Sequence, residues 1–419
     1  MFQTMKQLFA PTNKDLRKRV LFTLGALALF IVGTFVQIPV NYNITNNPAF
    51  STLNAFTGGA MLKFSIFSLG VMPYITASII MQLLQMDIVP YFSELKDEGP
   101  VGRQKINKIT RYMGIIFAFI EGFVFAIAFL GEKSTFNYIY VATVITAGTA
   151  FLLWLGDQIT QKGIGNGISL IIMAGIVNTL PNMFVTAFKE LVFKNGDVSP
   201  VGIALFALFV IVYFLIVIGV IFMEKAERRI QIQYANKSTN IMGANQSYMP
   251  IKVNTAGVVP VIFASSLLTI PAILANFINK EGFTNFVNNY LTYTKPVGFI
   301  VFVVFIFIFS YFYTFIELRP DEMSKNLKEN AGFIPGIRPG QDTEDYFSKL
   351  LSRLTVFGAI FLVILAGLPI LFAALTKLPS DVSIGGTSLL IVVGVALETY
   401  QQLEGSLVSR SYKRGYSRR

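Results

Sequence analysis

Residues 57–84 read TGGAMLKFSIFSLGVMPYITASIIMQLL, an apolar stretch long enough to cross a membrane but interrupted at several points. A Gly-Gly pair at 58–59, the charged Lys63, Gly70 and Pro73 break what is otherwise one hydrophobic helix. In lipid, every backbone group freed by a break needs a partner, so broken helices survive only inside the protein or beside a water-filled cavity. The segment therefore predicts a membrane protein that encloses an aqueous path.

A second broken segment, NTAGVVPVIFASSLLTIP at residues 254–271, carries Gly, Pro, Asn and a Ser pair inside an apolar run. Paired broken helices are typical of transporters and channels, where they line the path of the transported molecule. The two segments favour a transport function over that of a passive membrane anchor.

The composition agrees with a membrane protein and disfavours most enzymes. The chain is 53% hydrophobic with 40 Phe, and its mean hydropathy is +0.60. It has no Cys and no His, which removes disulfides, thiol nucleophiles and the commonest metal ligand and general base. We therefore expect no catalytic residue, no metal site and no cofactor. The charged start leads into a span without a small-residue cleavage site, so no cleavable signal peptide is predicted.

Ten apolar runs have lengths close to the roughly 20 residues that a membrane-spanning helix needs. They are residues 20–38, 70–89, 112–130, 138–156, 167–181, 203–223, 256–278, 297–316, 354–375 and 384–399. The run at 167–181 is short and semi-polar, which predicts a helix inside the protein. An even number of spans places both termini on the same side of the membrane.

The distribution of positive charge indicates which side that is. With ten spans, 27 of the 34 Lys and Arg residues fall on the side of the termini. The positive-inside rule therefore predicts that both termini are cytoplasmic. Arg228, Lys237 and Arg338 are expected inside, and Asn46 and Lys377 outside. The same asymmetry explains most of the net charge of +11 without a nucleic-acid partner.

The order of the broken spans predicts an internal repeat. They are the second and the seventh of ten, which indicates two halves of five helices, residues 1–190 and 191–419. An odd number of helices per half makes the halves inverted relative to each other across the membrane. We therefore predict an all-α membrane protein with ten transmembrane helices in two inverted five-helix halves.

Two predicted cytoplasmic loops, about 224–253 and 317–353, are too long to be simple connections. The second contains FIPGIRPGQ at 333–341, where two prolines and two glycines bracket Arg338. A stiff loop that presents a single Arg is predicted to dock a partner. The alternative is a solvated loop that merely obeys the charge rule.

Three polar residues lie at membrane depth, where such side chains are functional candidates. Glu121 is mid-span, and Gln82 and Asn254 lie near the cytoplasmic ends of the two broken spans. One interpretation is a hydrogen-bonded cluster that closes a seam between helices. The alternative is a set of structural contacts unrelated to gating.

Aliphatic residues at helical spacing suggest a constriction. Val71 and Ile75 are four residues apart, as are Ile168 and Ile172, so each pair faces one direction. Several such side chains at one level form a narrow, dewetted ring. For any single Ile, lipid contact or packing is the alternative, and Ile306 is expected to face lipid.

Six blocks of the sequence closely resemble the SecY family, whose members are channel subunits of the bacterial protein-conducting translocon. The blocks are GVMPYITASIIMQLL (70–84), EGPVGRQKINKITRY (98–112), WLGDQITQKGIGNGISLIIMAGIVNTLP (154–181), KVNTAGVVPVIFASS (252–266), GFIPGIRPGQDTEDY (332–346) and GGTSLLIVVGVALE (385–398). They occur in the family's order and extend over essentially the whole chain.

The resemblance implies an hourglass pore with a plug, an aliphatic ring and a lateral gate. The plug falls at about 54–67 and includes Thr57, Gly58, Gly59, Lys63, Phe64 and Phe67. The ring falls on Val71, Ile75, Ile168, Ile172, Ile262 and Ile391. The gate lies between the second and third helices on one side and the seventh and eighth on the other, with Gln82, Glu121 and Asn254 as its polar cluster.

The resemblance also implies partners and a mechanism. The chain would be a passive pore in the cell membrane that translocates unfolded secretory proteins and releases transmembrane segments laterally into lipid. SecE and SecG would be its small membrane subunits, and signal peptides, unfolded preproteins and membrane lipids would contact it. The SecA ATPase or the ribosome would drive transport and dock on the long loops, at Arg228, Arg229, Lys252 and Arg338.

Three other functions are weighed against this one. A secondary transporter also has inverted repeats and broken helices, but it needs charged or coordinating groups at the midplane, where this chain has aliphatic residues. A membrane-embedded enzyme is disfavoured because His, Cys and any G-x-S-x-G elbow are missing. An accessory paralogue that serves few exported proteins remains an alternative to the general channel.

Overall fold

The computed structural model describes residues 14–42, 54, 56–85, 89–130, 134–194, 197–234, 247–278, 280–292, 295–376 and 380–416, most of which are helical. The helices are α1 (Lys14–Gly33), α2 (Met72–Leu84), α3 (Pro90–Asp97), α4 (Pro100–Phe129), α5 (Thr135–Lys162), α6 (Gly167–Val192), α7 (Pro200–Lys225), α8 (Val259–Ile278), α9 (Glu281–Phe286), α10 (Pro296–Glu317), α11 (Pro320–Glu329), α12 (Gln341–Thr376) and α13 (Ser380–Tyr416), with a π-helical turn at Val287–Leu291. The short strands are β1 (Phe193–Lys194), β2 (Asp197–Val198), β3 (Glu227–Tyr234), β4 (Ser247–Lys252) and β5 (Gly332–Phe333).

Each of the ten predicted apolar runs overlaps a different helix: α1, α2, α4 to α8, α10, α12 and α13. Among the described residues, six helices are long and apolar enough by themselves to cross a membrane, namely α4, α5, α6, α7, α10 and α12. The predicted helical membrane protein is confirmed. We call the side on which α1 begins and α13 ends the inner side, and the opposite side the outer side.

The helices begin where the sequence supplies a cap or a proline. Asn166 caps α6, because its side-chain oxygen accepts hydrogen bonds from the backbone N–H groups of Ile168 and Ser169, 3.1 and 3.4 Å away. Seven other helices, including α2 and α4, carry Pro in their first turn, where its missing N–H costs nothing. The predicted break before α2 is confirmed, since the helix starts only at Met72.

The first part of helix α6 is mostly buried, as predicted, and its buried residues include Leu170, Ile171 and Ile172. Further along, Val177 and Val185 are exposed. It extends to Val192, beyond the predicted end, because Pro181 lies inside the helix and does not terminate it. The expected lipid-facing position of Ile306 is wrong. This side chain is fully buried on α10 and belongs to the main hydrophobic cluster.

A small folded unit lies on the inner side. Strands β4, β3 and β5 form an antiparallel sheet in that order, with Glu227 opposite Lys252. The sheet packs with α11 and the start of α12 around a separate apolar core: Ile230, Ile232, Ile251, Leu327, Ile334, Phe347 and Leu351. The two long loops are therefore one structured unit. Asn46, Lys237 and Lys377 lie outside the described residues.

Candidate pore and plug

The segment before α2 folds as a series of turns packed inside the bundle. Gly58, Gly59 and Gly70 have φ of +71, +83 and +55°, a left-handed conformation that favours glycine. Thr57 and Ala60 are buried, at 1 and 0% exposed. The predicted plug residues therefore line the interior and do not face lipid.

The predicted plug contains two aromatic residues with extensive ring contacts. Phe64 is fully buried and stacks on Tyr42 and Phe125, with ring centroids 4.8 and 5.4 Å away. Phe67 stacks on Phe30 and Phe151 at 6.1 and 6.0 Å. Lys63, between the glycines and these rings, has its Nζ 3.6 Å from the centroid of the Phe35 ring.

The six predicted ring residues belong to one hydrophobic cluster. Four of them are at most 7% exposed: Val71, Ile75, Ile172 and Ile391. The other two, Ile168 and Ile262, are partly buried and pack against the same cluster. They come from the start and body of α2 and from α6, α8 and α13. This cluster is the core of the whole bundle and also contains Ile306, so membership places the six residues inside the protein without fixing them at one level.

Two cavities flank this layer. The outer cavity, of about 220 Å³, reaches Ile176 on α6 and Ser388 on α13. The inner cavity, of about 610 Å³, reaches Ile172 and Ile391 on the same two helices, and also Ile262. One helical turn rises about 5.4 Å, so the cavities approach each other to within about one layer of side chains. Three of the six predicted ring residues, Ile172, Ile262 and Ile391, line the inner cavity at this level.

The inner cavity has a charged wall, lined by Glu224, Lys252, Glu317 and Glu398. Lys252 Nζ lies 3.9 Å from Glu224 Oε2 and 3.5 Å from Gln401 Oε1. Among the described residues, no grouping of three His, Cys, Asp or Glu side chains has the arrangement of a metal site.

The structure does not bring the predicted gate residues together. Helices α2 and α4 are in close contact at Tyr74 and Gly114. A Cβ added to Gly114 would lie only 3.2 Å from Tyr74 Cα. Gln82 lies eight residues inward of that contact and Glu121 seven residues outward. At 1.5 Å per residue they are roughly 22 Å apart along the helix axes, too far for a shared hydrogen bond.

Asn254 has other partners. Its Nδ2 donates to the Gly257 carbonyl at 3.0 Å and to Glu224 Oε1 at 3.4 Å, and its Cα lies 3.6 Å from a Cβ built on Gly358 of α12. Gln82 Oε1 is buried without a hydrogen-bond partner in the described part of the chain. The predicted cluster is therefore replaced by three separate environments.

The predicted docking residues lie on the inner-side unit. Arg228 and Arg229 are exposed on β3, and Arg229 Nε is 3.7 Å from Glu227 Oε2. Lys252 is also half-exposed, and it lies at the edge of the inner cavity beside Glu224. Arg338 is exposed between Gly336 and Gly340, which have φ of +83 and +114°.

Two side-chain hydrogen bonds hold the backbone of the Arg338 tip in place. The Arg338 carbonyl accepts a hydrogen bond from the buried Thr343 hydroxyl at 2.8 Å, and the Gly340 carbonyl accepts one from the buried Ser324 hydroxyl at 2.7 Å. Ile334, at the other end of the tip, is buried in the core of the unit. The backbone is thereby fixed while the guanidinium stays in solvent.

Sequence reasoning missed two polar residues of the outer cavity, Asn178 and Ser388. Asn178 Nδ2 donates to the Gly58 carbonyl at 2.8 Å. Ser388 is 1% exposed and its Oγ has no partner in the described part of the chain. A polar side chain within an apolar run was the available signal for both residues.

Comparisons with known proteins agree with this geometry. The family model of SecY matches residues 65–400. The protein translocase subunit SecY of Staphylococcus epidermidis is 46% identical over 428 residues, which cover 99% of this chain and 99% of the relative.

Solved channel structures have the same fold. One described as the structure of a protein conducting channel gives a TM-score of 0.69 at 21% identity, over 94% of this chain and 93% of that chain. Sec61 in the canine ribosome-channel complex from the endoplasmic reticulum gives 0.66 at 21% identity, with the same coverage. From the extent of these matches, the chain belongs to the SecY family.

Proposed function

We propose that the chain is the central pore-forming subunit of a protein-conducting channel of the cell membrane. It passes unfolded secretory proteins across the membrane and releases transmembrane segments sideways into lipid. The observation that carries this proposal is the pair of cavities that approach each other across one apolar layer. A small-solute transporter needs a polar site at that level, whereas a channel for varied side chains needs a seal that binds none of them.

The seal has two parts. Val71, Ile75, Ile168, Ile172, Ile262 and Ile391 form the ring. Aliphatic side chains fit around a passing chain without binding it strongly, and they exclude water when the pore is empty. The plug, whose turns line the outer cavity together with α6 and are hydrogen-bonded to that helix, adds a second barrier.

The helices divide into halves at about residue 190, with residues 1–190 and 191–419 inverted relative to each other. Contacts within each part support this division: α4 packs on α2 and α5, and α12 packs on α10 and α13. The inner side, which carries most of the positive charge, is the cytoplasmic side, and both termini lie there.

The lateral exit lies between α2 and α4 on one side and α8 and α10 on the other. Helix α8 contacts both α4 and α10, so opening of this seam separates α8 from α4. Ser266 on α8 and Ser310 on α10 are buried without hydrogen-bond partners in the described part of the chain. Gln82, Glu121 and Asn254 act there singly and not as one cluster.

Transport is passive and its energy comes from partners. SecE and SecG complete the membrane complex, and SecA or the ribosome docks on the inner-side unit through Arg228, Arg229 and Arg338. Support comes from the exposure of these three side chains and from a solved relative whose description includes a ribosome. Lys252, whose side chain is 43% exposed beside Glu224, adds a docking contact at the edge of the inner cavity.

Reconstitution tests the proposal. The chain, purified with SecE and SecG and placed in liposomes, should take up a preprotein when SecA and ATP are present on the inner side. Liposomes that lack this chain are the control. Equal uptake with and without the chain would overturn the proposed function.

A further inference from the structure

Residues 56–70, which precede α2, divide into two mostly buried parts that are held by different contacts. Residues 64–70 are tied to two helices and to the chain after α1. Ile38 N donates to the Phe64 carbonyl at 2.9 Å and Ile66 N donates to the Val36 carbonyl at 3.0 Å. On α5, the Thr149 hydroxyl donates to the Gly70 carbonyl at 3.0 Å. This part is an anchor, and it includes Phe64 and its stacked rings.

Residues 56–63 are held differently. Most of their hydrogen bonds are local: Gly59 N donates to the Asn54 carbonyl at 2.9 Å, and Leu62 N donates to Asn54 Oδ1 at 3.2 Å. The Ala60 carbonyl accepts a hydrogen bond from Ser65 N of the anchor at 3.1 Å. Among the described residues, the hydrogen bond that joins this part to a membrane helix comes from Asn178 Nδ2 to the Gly58 carbonyl, at 2.8 Å. The two parts meet at Phe64, whose φ of +49° marks a sharp change of direction.

A contact between glycines brings the two groups into range. A Cβ built on Gly58 would lie 3.0 Å from Gly175 Cα, and one built on Gly175 would lie 2.7 Å from the Phe56 carbonyl oxygen. Gly175 and Asn178 are three residues apart on α6, so they share a face. Glycine at both positions lets the backbones touch, and Asn178 then reaches the carbonyl beside that contact.

The bond lies beside a polar cavity. Gly58, Asn178 and the unpartnered Ser388 all line the outer cavity of about 220 Å³, which has room and partners for several water molecules. Water can therefore replace the amide at the Gly58 carbonyl when the plug moves. The bond holds the closed position without making release costly.

We propose that Asn178 is a positioning residue that latches residues 56–63 against α6 and thereby sets how easily the channel opens. The proposal rests on the plug function proposed above. The latch stabilises the closed plug, whereas residues 64–70 stay in place when it opens. Loss of the bond should raise the resting open fraction about fivefold, the effect of one ordinary hydrogen bond.

The test compares the Asn178→Leu variant with wild type in the reconstituted complex. Leu has a similar size but no donor. Resting ion conductance and export of a preprotein with a defective signal sequence should both rise. Asn178→Gln, which keeps an amide, should restore part of the closed state. Asn182→Leu is the matched control, because this residue is exposed one turn further along α6 and lines the same cavity.

A deletion of residues 58–62 separates the two proposals. If the deletion leaks and Asn178→Leu adds nothing to it, the residue acts through the plug, as proposed. If the deletion leaks but Asn178→Leu alone stays as tight as wild type, the latch is refuted and the plug stands. An equal effect of Asn178→Leu with and without residues 58–62 also refutes the latch. A deletion variant that folds and neither leaks nor relaxes selectivity overturns the plug and the latch together.

Discussion

Replacement of Ile391 by Asn tests the seal most directly. Ile391 is 2% exposed and lines the inner cavity where α13 meets the apolar layer. In the closed state, an Asn amide at this 2% exposed position would lose most of its hydration, which costs up to about 1–3 kcal/mol in proteins. In a wetted pore the amide is hydrated and the cost vanishes. The substitution therefore raises the free energy of the closed state and leaves that of the open state unchanged.

The size of the effect follows from this difference. A penalty of about 1–3 kcal/mol raises the ratio of open to closed channels roughly 5- to 150-fold. The loss of apolar burial acts in the same direction, because the aliphatic side chain favours the dry layer. We expect Ile391→Asn to pass ions at rest and to export clients with defective signal sequences.

Planar-bilayer conductance of the purified complex measures this ratio. Ile391→Leu keeps the size and the apolar character and should remain tight. Ile308→Asn is the second control, because Ile308 on α10 is 54% exposed and should affect insertion or yield without opening the pore. If Ile391→Asn folds normally and its resting conductance equals that of wild type, Ile391 is not part of the seal and the reasoning fails.

Three further changes test the inner-side unit and the topology. Arg338→Glu should lower SecA-driven uptake at least about tenfold without changing resting ion tightness, because Glu reverses the charge of the tip and cannot donate the bidentate hydrogen bonds of a guanidinium. Lys325→Glu, an exposed charge reversal on α11, should transport normally, and equal loss in both variants would make the effect one of net charge. A single Cys at position 338 should react only with reagent added on the cytoplasmic side, and one at Phe193 only from outside; the reverse pattern would invert the topology. Ile232→Asp, at a 3% exposed site, should cost several kcal/mol by burying a charge and make the unit protease-sensitive while the membrane core persists; protease resistance equal to wild type would contradict the described core.

The breaks in the membrane helices were predictable because glycine and proline act locally. Gly58 and Gly70 adopt the left-handed conformation that the sequence favours there, and α2 begins beside Pro73. The local signal of β3 was also present, since Ile230 and Ile232 alternate with polar residues. It was missed because the loop was assessed by its length and charge alone.

The arrangement of Gln82, Glu121 and Asn254 could not be obtained in the same way. A polar residue in an apolar run is a candidate functional residue. Its depth in the membrane and the direction of its side chain, however, depend on how neighbouring helices are aligned. That alignment is fixed by a contact between Gly114 and Tyr74, which are distant in sequence. The conformation of Phe64 was likewise hidden, because a left-handed φ at a non-glycine residue depends on the packing around it.

Helix α12 gives the inner-side unit a mechanical connection to the membrane. It begins just after the Arg338 tip and is helical for 36 residues, with Pro369 inside its last third, a length of about 54 Å. Phe347 belongs to the core of the unit, whereas Leu365 belongs to the core of the membrane bundle. A tilt of about 5° displaces one end of such a rod by about 5 Å relative to the other. A partner that displaces the Arg338 tip would therefore also tilt the part of α12 that packs in the membrane bundle, because the two parts belong to one helix with no loop between them.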